Sequence, residues 1–180
     1  MLRIIAGKYR SRLLKQPRRE ITRPTIDRAR EAIFSSIQFN IENKIFLDLF
    51  SGSGAFCLEA LSRGAKKGIC IEKNYEAYQV ILENKNSLKE ENLLVKNTDA
   101  LRYLNSLTDE KFDYIYLDPP FKDKELLLAC LDIISSKNLL NEGGFAIIET
   151  DWDNLVYNTN NYIIQKSKKY GKIYIYYITK

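Results

Sequence analysis

From Lys44 onward the chain alternates between short apolar runs and segments with helical periodicity. That alternation restricts the folds open to it more than any other feature. Residues 45–50, 68–72, 92–97, 112–117 and 144–149 read as strands, and residues 55–63, 75–89, 100–107 and 124–135 as helices. Strands separated by helices need right-handed crossovers, which build a mostly parallel sheet covered on both faces. The expected class is therefore α/β. The pattern then changes: residues 162–167 and 172–178 are strands joined only by the tight link 168–171, which is a hairpin. The sheet is expected to end in an antiparallel strand, as many parallel sheets do. The tyrosines of the last strand are expected to face core and solvent alternately.

The first 43 residues follow different rules. Residues 2–6 and 12–14 look like two short strands able to pair across Gly7 to Ser11, and Pro17 and Pro24 punctuate the loop that follows. Thr25 can cap a helix beginning near Ile26 whose apolar positions Ala29, Ala32, Ile33, Phe34 and Ile37 keep helical spacing. Residues 1–30 hold ten Lys and Arg against Glu20 and Asp27, whereas the rest of the chain is mildly acidic. A concentrated basic arm is the expected footprint of phosphate-backbone binding. Two parts follow: a basic extension, residues 1–43, and a domain, residues 44–180.

Absences narrow the chemistry. The chain has no histidine, so the usual neutral-pH general base and the commonest transition-metal ligand are both missing. Cys57, Cys70 and Cys130 form no CxxC pair, so neither a metal site nor a disulfide framework is indicated. The start Met1-Leu2-Arg3-Ile4-Ile5 lacks the apolar stretch of a signal peptide, and no run is long enough to span a bilayer. A cytoplasmic protein is expected.

Two patterns carry positive chemistry. The first strand, ending in Asp48-Leu49-Phe50, runs into Ser51-Gly52-Ser53-Gly54 and then a helix. Glycines in the first strand-to-helix turn let a ligand approach the backbone. The dinucleotide fingerprint wants a third small residue where Cys57 stands. Glu72 closes the second strand, where a carboxylate can hold ribose hydroxyls, and Asp99 follows the third, where it can accept from an adenine amine or cap the next helix. Asp48, Glu72, Asp99 and Asp118 thus form a negative rim that favours a cationic ligand over a pyrophosphate.

The second pattern is Asp118-Pro119-Pro120-Phe121, which closes the fourth strand. Two prolines fix two φ angles and remove two N–H donors, leaving a stiff corner with carbonyls outward. The Asp carboxylate and a proline carbonyl can accept both hydrogens of an exocyclic amine, and Phe121 offers a stacking face. Such a corner suits methylation of a nucleobase amine by an already activated donor, where orientation supplies much of the rate and no strong base is needed.

The order Asp48-x-x-x-Gly52-x-Gly54, Glu72, Asp99, Asp118-Pro-Pro-Phe resembles class I S-adenosylmethionine-dependent N-methyltransferases. Arg3-Ile-Ile-Ala-Gly7, the block from Arg23-Pro24-Thr25 to Phe34, Leu47 to Gly54, and Leu58 to Ala65 together resemble the RsmD family, which methylates guanine N2 (guanine 966) in small-subunit ribosomal RNA. The likeness covers nearly the whole chain. It implies a Rossmann-like domain with a seven-stranded sheet and S-adenosylmethionine as cofactor. The cofactor would be held by Asp48, Ser51, Gly52, Ser53, Gly54, Glu72, Lys73, Asp99, Ala100 and Asp118. Catalysis would lie at Asp118, Pro119, Pro120 and Phe121, and RNA contacts at Arg3, Arg10, Arg12, Arg23, Thr25, Arg28 and Arg30. The partner implied is 16S rRNA in the small subunit or its assembly intermediate, met by a monomer without metal or membrane. Ser11 departs from the family, which often has Gly there, and Phe56-Cys57 replaces a more usual Leu-Gly. The Asp-Pro-Pro-Phe corner is shared with adenine-N6 methyltransferases, so it fixes the reaction more than the base. A non-catalytic RNA-binding assembly factor is the alternative of another class.

Overall fold

The computed structural model describes residues 2–18, 27–120, 123–159 and 161–180. Two small strands, β1 (Leu2–Arg3) and β2 (Leu13–Leu14), precede α1 (Asp27–Ile37). Then come β3 (Ile45–Asp48), α2 (Ala55–Ser62), β4 (Lys67–Ile71), α3 (Tyr75–Leu88), β5 (Leu93–Lys96), α4 (Ala100–Ser106), β6 (Phe112–Leu117), α5 (Lys124–Ser136) and β7 (Leu140–Thr150). The chain closes with β8 (Asn158–Thr159), β9 (Tyr162–Tyr170) and β10 (Ile173–Thr179). The main sheet has the order β5-β4-β3-β6-β7-β10-β9-β8. β5 to β7 are parallel, and β10 is antiparallel to both β7 and β9. Among the described residues, no helix is long and apolar enough to cross a membrane.

The parallel α/β sheet and its C-terminal antiparallel hairpin agree with the sequence reading, and two details of the last strands differ. The antiparallel strand is not the edge: β10 inserts between β7 and β9, and the two-residue β8 adds an eighth strand beyond β9. The expected alternation of tyrosines between core and solvent also fails, since Ile175 to Thr179 are all buried. A strand flanked by neighbours on both sides and covered on both faces buries every side chain, so its sequence reads as a continuous apolar run.

The core divides at the sheet, as period-two alternation requires. Phe46, Tyr114, Tyr116, Ile147, Ile175 and Tyr177 face α1, α2, part of α3 and the β1–β2 hairpin. Leu47, Ile69, Ile115, Ile148, Tyr176 and Ile178 face α4 and α5. α2 is buried at all eight positions. A helix buried all round needs a cover on its outer side, and the N-terminal segment supplies it.

A buried carboxylate fastens that cover. Glu59 on α2 is fully buried and accepts the N–H groups of Ile5 (2.7 Å) and Ala6 (3.1 Å), while Arg63 donates Nε to it at 2.7 Å. One helical turn on, Ser62 accepts the Lys8 N–H on its carbonyl and the Tyr9 N–H on its hydroxyl. The chain passes so close that a Cβ on Gly7, whose φ is 83°, would lie 1.8 Å from the Ser62 carbonyl oxygen. Only glycine fits there. Arg30 is also buried and donates Nη2 to the Arg3 carbonyl at 2.6 Å, tying α1 to β1.

Residues 2–18 and α1 thus share one core with the Rossmann-like body. Glu59→Ala is expected to cost about 3 kcal/mol or more, because it leaves two backbone donors and the Arg63 charge without their acceptor. Denaturant melts check the loss, and limited proteolysis should find residues 2–18 cleaved first. Ser11 has φ 68°, in the left-handed region. Ser11→Gly should therefore raise stability by about 1 kcal/mol, read as a higher Tm.

Candidate active site at the carboxyl edge of the sheet

Parallel strands bring their carboxyl ends to one edge, and the candidate residues gather there. β3 ends in Asp48, whose side chain is buried and accepts the Phe50 N–H at 3.1 Å. The loop turns through Gly52 (φ 53°) and Gly54 (φ 77°), both left-handed. A Cβ on Gly54 would meet Ile81 of α3 at 2.9 Å, so this turn packs close to a neighbouring helix. Gly54 caps α2 without a side-chain hydrogen bond, so backbone N–H groups at that end suit an anionic ligand group such as an amino-acid carboxylate. Ser51 is buried with its hydroxyl on the Asp48 carbonyl, and Ser53 is half-buried.

The third small position of the loop is resolved by an exchange between elements. Cys57 stands where the dinucleotide fingerprint has glycine for close helix–strand packing, and the opposing residue on β4 is Gly68. A Cβ there would come within 3.2 Å of the Cys57 Cβ. Moving the glycine from helix to strand keeps the close approach. All three cysteines are buried and unlinked.

Glu72 does more than line the rim. Its two oxygens accept the N–H groups of Gly52 (2.9 Å) and Asn74 (2.7 Å), which fastens the glycine loop to the end of β4. Burial raises its pKa, and those N–H donors act in the opposite direction. Its remaining lone pairs can still meet a ribose. Lys73 is exposed beside it. Asp99 is exposed and caps α4 through the Arg102 N–H at 2.9 Å, which is the second of the two roles its position allowed; Ala100 behind it is buried.

The Asp118 corner lies next door. Asp48 is in register with Tyr116, and Leu49 donates its N–H to the Tyr116 carbonyl at 3.1 Å, so the glycine loop and the end of β6 are adjacent. Asp118 is half-buried, Pro119 buried and Pro120 exposed. The Pro120 carbonyl accepts the Asp123 N–H at 2.8 Å, and Asp123 then caps α5 through the Leu126 N–H. Phe121 lies outside the described residues.

Two residues of this edge escaped the sequence reading. Tyr116 donates its hydroxyl to Glu149 at 2.7 Å, with both groups buried. Burial holds the Tyr116 hydroxyl protonated, reinforced by the charges of Glu149, Asp118 and Asp48. The signal was present, because Glu149 closes an apolar strand as Asp48 and Glu72 do.

The acidic edge has an electrostatic consequence. Burial pushes the Asp48 carboxyl up to about 7; the Phe50 N–H opposes this and nearby Glu72 adds to it. A cationic ligand, such as the S-adenosylmethionine the motifs imply, would offset that cost by pairing with the ionised form.

The basic residues named from the sequence separate into groups. Arg10 and Arg12 sit at the hairpin turn, with Arg12 donating to the Ser87 carbonyl near the far end of α3. Arg3 folds onto the Ser11 carbonyl of the same turn. Arg10 and Arg12 lie toward the amino edge of the sheet, whereas the Arg3 carbonyl accepts from Arg30 of α1. Arg30 is buried against β1 and faces no solvent, which corrects its reading as a surface RNA contact. Arg28 is exposed at the start of α1. That helix descends toward the amino edge, since Ser36 meets Tyr177 and the Asn40 carbonyl meets Tyr114. Arg28 is therefore at the carboxyl edge, as is Arg18, which pairs with Glu76 in the first turn of α3 at 3.3 Å. Arg23 and Thr25 fall outside the described residues.

The chain is similar to known proteins over nearly its whole length. The family model described as Conserved hypothetical protein 95 matches residues 2–179. YlbH of Bacillus subtilis is 33% identical over 174 residues, covering 94% of each chain. Ribosomal RNA small subunit methyltransferase D of Escherichia coli (strain K12) is 32% identical over 173 residues, covering 96% of this chain and 86% of that one. The solved structure of yhhF from Escherichia coli superposes with a TM-score of 0.88 at 30% identity, over 99% of this chain and 97% of that one.

Asp48 also sets a pH dependence. Between the ordinary carboxyl value of 3.8 and about 7, the folded state keeps a proton that the unfolded chain has lost. The stability Asp48 contributes is complete below the lower value and is lost as pH rises through the upper. Asp48→Asn should flatten this dependence. Its ligand-free form is expected to melt above the parent at pH 8 while binding S-adenosylmethionine at least tenfold more weakly. Thermal melts across pH and calorimetry check both; parallel melting profiles would refute the assignment.

Proposed function

The chain belongs to the family described as Conserved hypothetical protein 95, and we propose that it transfers a methyl group from S-adenosylmethionine to the exocyclic N2 of a guanosine in small-subunit ribosomal RNA. One observation carries this reading: the Asp118-Pro119-Pro120 corner ends the strand beside the strand that bears the glycine loop. That adjacency suits an amine acceptor set against a cofactor cradle. Ribosomal RNA enters through relatives named small subunit methyltransferase D, and guanine (position 966 in the resembled family) through the N-terminal motifs.

S-adenosylmethionine supplies, when bound, an electrophilic methyl on a sulfonium centre. Asp48 and Glu72 offer carboxylates to its cationic and hydroxyl groups, and the Gly52–Gly54 turn offers backbone approach. The target base leaves its stack and enters the corner. Asp118 accepts one hydrogen of the amine. Pro119 is assigned the second, because the Pro120 carbonyl is already committed to Asp123. Acceptance of both hydrogens returns electron density to the nitrogen and fixes its line of attack. Phe121 is the stacking partner in this scheme. The protein acts as a cytoplasmic monomer without metal, with residues 1–43 contributing RNA contacts through Arg18 and Arg28 at this edge.

Asp118→Ala is expected to lower transfer at least a thousandfold while cofactor affinity stays within a few-fold. The assay incubates labelled S-adenosylmethionine with unmethylated small subunits and identifies the methylated nucleoside by mass spectrometry. N2-methylguanosine supports the proposal. N6-methyladenosine would replace the base, and near-normal turnover in the variant would remove the corner from the mechanism.

A further inference from the structure

The basic N-terminal segment is not the chain's only concentration of positive charge. Residues 154–180 carry five lysines, Lys166, Lys168, Lys169, Lys172 and Lys180, and no Asp or Glu. The stretch between these two basic ends, residues 31–153, holds 13 Lys and Arg against 21 Asp and Glu. An acidic body is thus bracketed by two basic ends, and the fold decides where the second one points.

Three of the five, Lys168, Lys169 and Lys172, gather at the active edge, whereas Lys180 pairs with Glu142 near the start of β7. β10 is antiparallel to β7, so the β9–β10 turn emerges where β7 ends. The register places Lys168 across from Ile175 and Ile175 across from Glu149; in the next row Lys169 faces Tyr174 and Tyr174 faces Thr150. Lys168 and Lys169 are therefore level with the last residues of β7. Tyr170, Gly171 and Lys172 project beyond them, with Gly171 in the left-handed region (φ 61°). Extending the β6–β7 register one step past Leu117 and Ile148 sets Asp118 beside Glu149. Asp118 and Lys168 are then three strand spacings apart, about 14 Å. Lys168, Lys169 and Lys172 are all exposed.

The neighbouring groups reinforce the placement. Tyr170 packs on the same side of the sheet as α1, whose first turn carries exposed Arg28. Lys169 lies over the Tyr174 ring at 5.1 Å and Lys166 over the Tyr177 ring at 4.2 Å, so aromatic faces hold the roots of this basic strip. The corner itself is ringed by Asp48, Asp118 and Glu149, which repel a phosphate backbone. A polyanion that delivers one base to Asp118 must be held by cations just outside that ring.

We infer that the β9–β10 hairpin tip, through Lys168, Lys169 and Lys172, is a second contact for the RNA phosphate backbone, on the opposite side of the catalytic corner from Arg18. This rests on the ribosomal RNA reading above. Lysines on the part of β9 that β8 leaves unpaired also discourage strand-to-strand aggregation, and a charge reversal separates the two roles. Glutamates guard an edge as lysines do, yet they repel RNA.

The test compares K168E/K169E/K172E with K66E/K67E/K111E, an equal charge change at exposed positions of the amino edge. Filter retention measures binding of a labelled small-subunit RNA fragment across salt, and methyl transfer to unmethylated small subunits is followed in parallel. The hairpin variant should bind at least tenfold more weakly at about 100 mM salt, with a log–log salt slope shallower by about 2. Its S-adenosylmethionine affinity, Tm and monodispersity should match the control, and K168Q/K169Q/K172Q should fall between. Binding and slope equal to the control's would overturn the inference, as would failure of the parent protein to retain the RNA. If the parent binds RNA but transfers no methyl group, the proposed function falls, while the binding comparison still decides the role of the hairpin.

Discussion

A carboxylate with no solvent contact, Glu59, joins the two halves of the molecule. α2 leaves the glycine loop with all eight positions buried, so it cannot end the structure at its outer face. Residues 2–18 and α1 cover it, and the cover is held by backbone N–H groups that need an acceptor in a dry place. Glu59 supplies that acceptor, and Arg63 balances its charge. The same contact fixes the course of the chain. After the Gly7–Ser11 turn, residues 12–18 climb α3 through Ser87, Asn84 and Glu76, and α1 then begins at the carboxyl edge. What reads as a basic appendage is a layer of the core that ends at the site.

The site is a set of acids, and burial raises the cost of ionising two of them, Asp48 and Glu72. Asp48, Glu72, Asp118 and Glu149 close neighbouring parallel strands, so topology alone brings them to one edge. Burial raises the proton affinity of Asp48 and Glu72, while backbone N–H groups hold their charged forms in place. A cationic ligand bound there would offset the cost of ionising them. This arrangement also suits a chain without histidine, because transfer from an activated donor needs placed acceptors more than a titrating base.

Charge is segregated for a related reason. In the proposed function, acids that would bind a cationic cofactor would also repel the polyanion that carries the target base. The fold separates the two requirements in space, placing acids on the strand ends and cations on Arg18, Arg28 and the hairpin tip. Arg10 and Arg12 lie toward the other edge, Arg3 folds onto the Ser11 carbonyl, and Arg30 is internal. Counting basic residues along the chain therefore overstates how many of them stand beside the corner.

The sequence by itself determined the alternation that makes a parallel α/β sheet, the glycine turn after β3, the acids that close strands, and the Asp118 corner. All of these are local: periodicity, turn chemistry and a few adjacent residues specify them. Ser11 and Cys57 were legible only as departures, because their reasons, a left-handed turn and a glycine supplied by β4, belong to other parts of the fold. Tertiary structure alone decided that β10 lies inside the sheet, that Tyr116 and Glu149 pair beneath the site, and that Arg30 is buried while Lys168 and Lys169 stand level with the last residues of β7. Those facts depend on which strands become neighbours, and strand order is settled by long-range packing that local pattern does not encode.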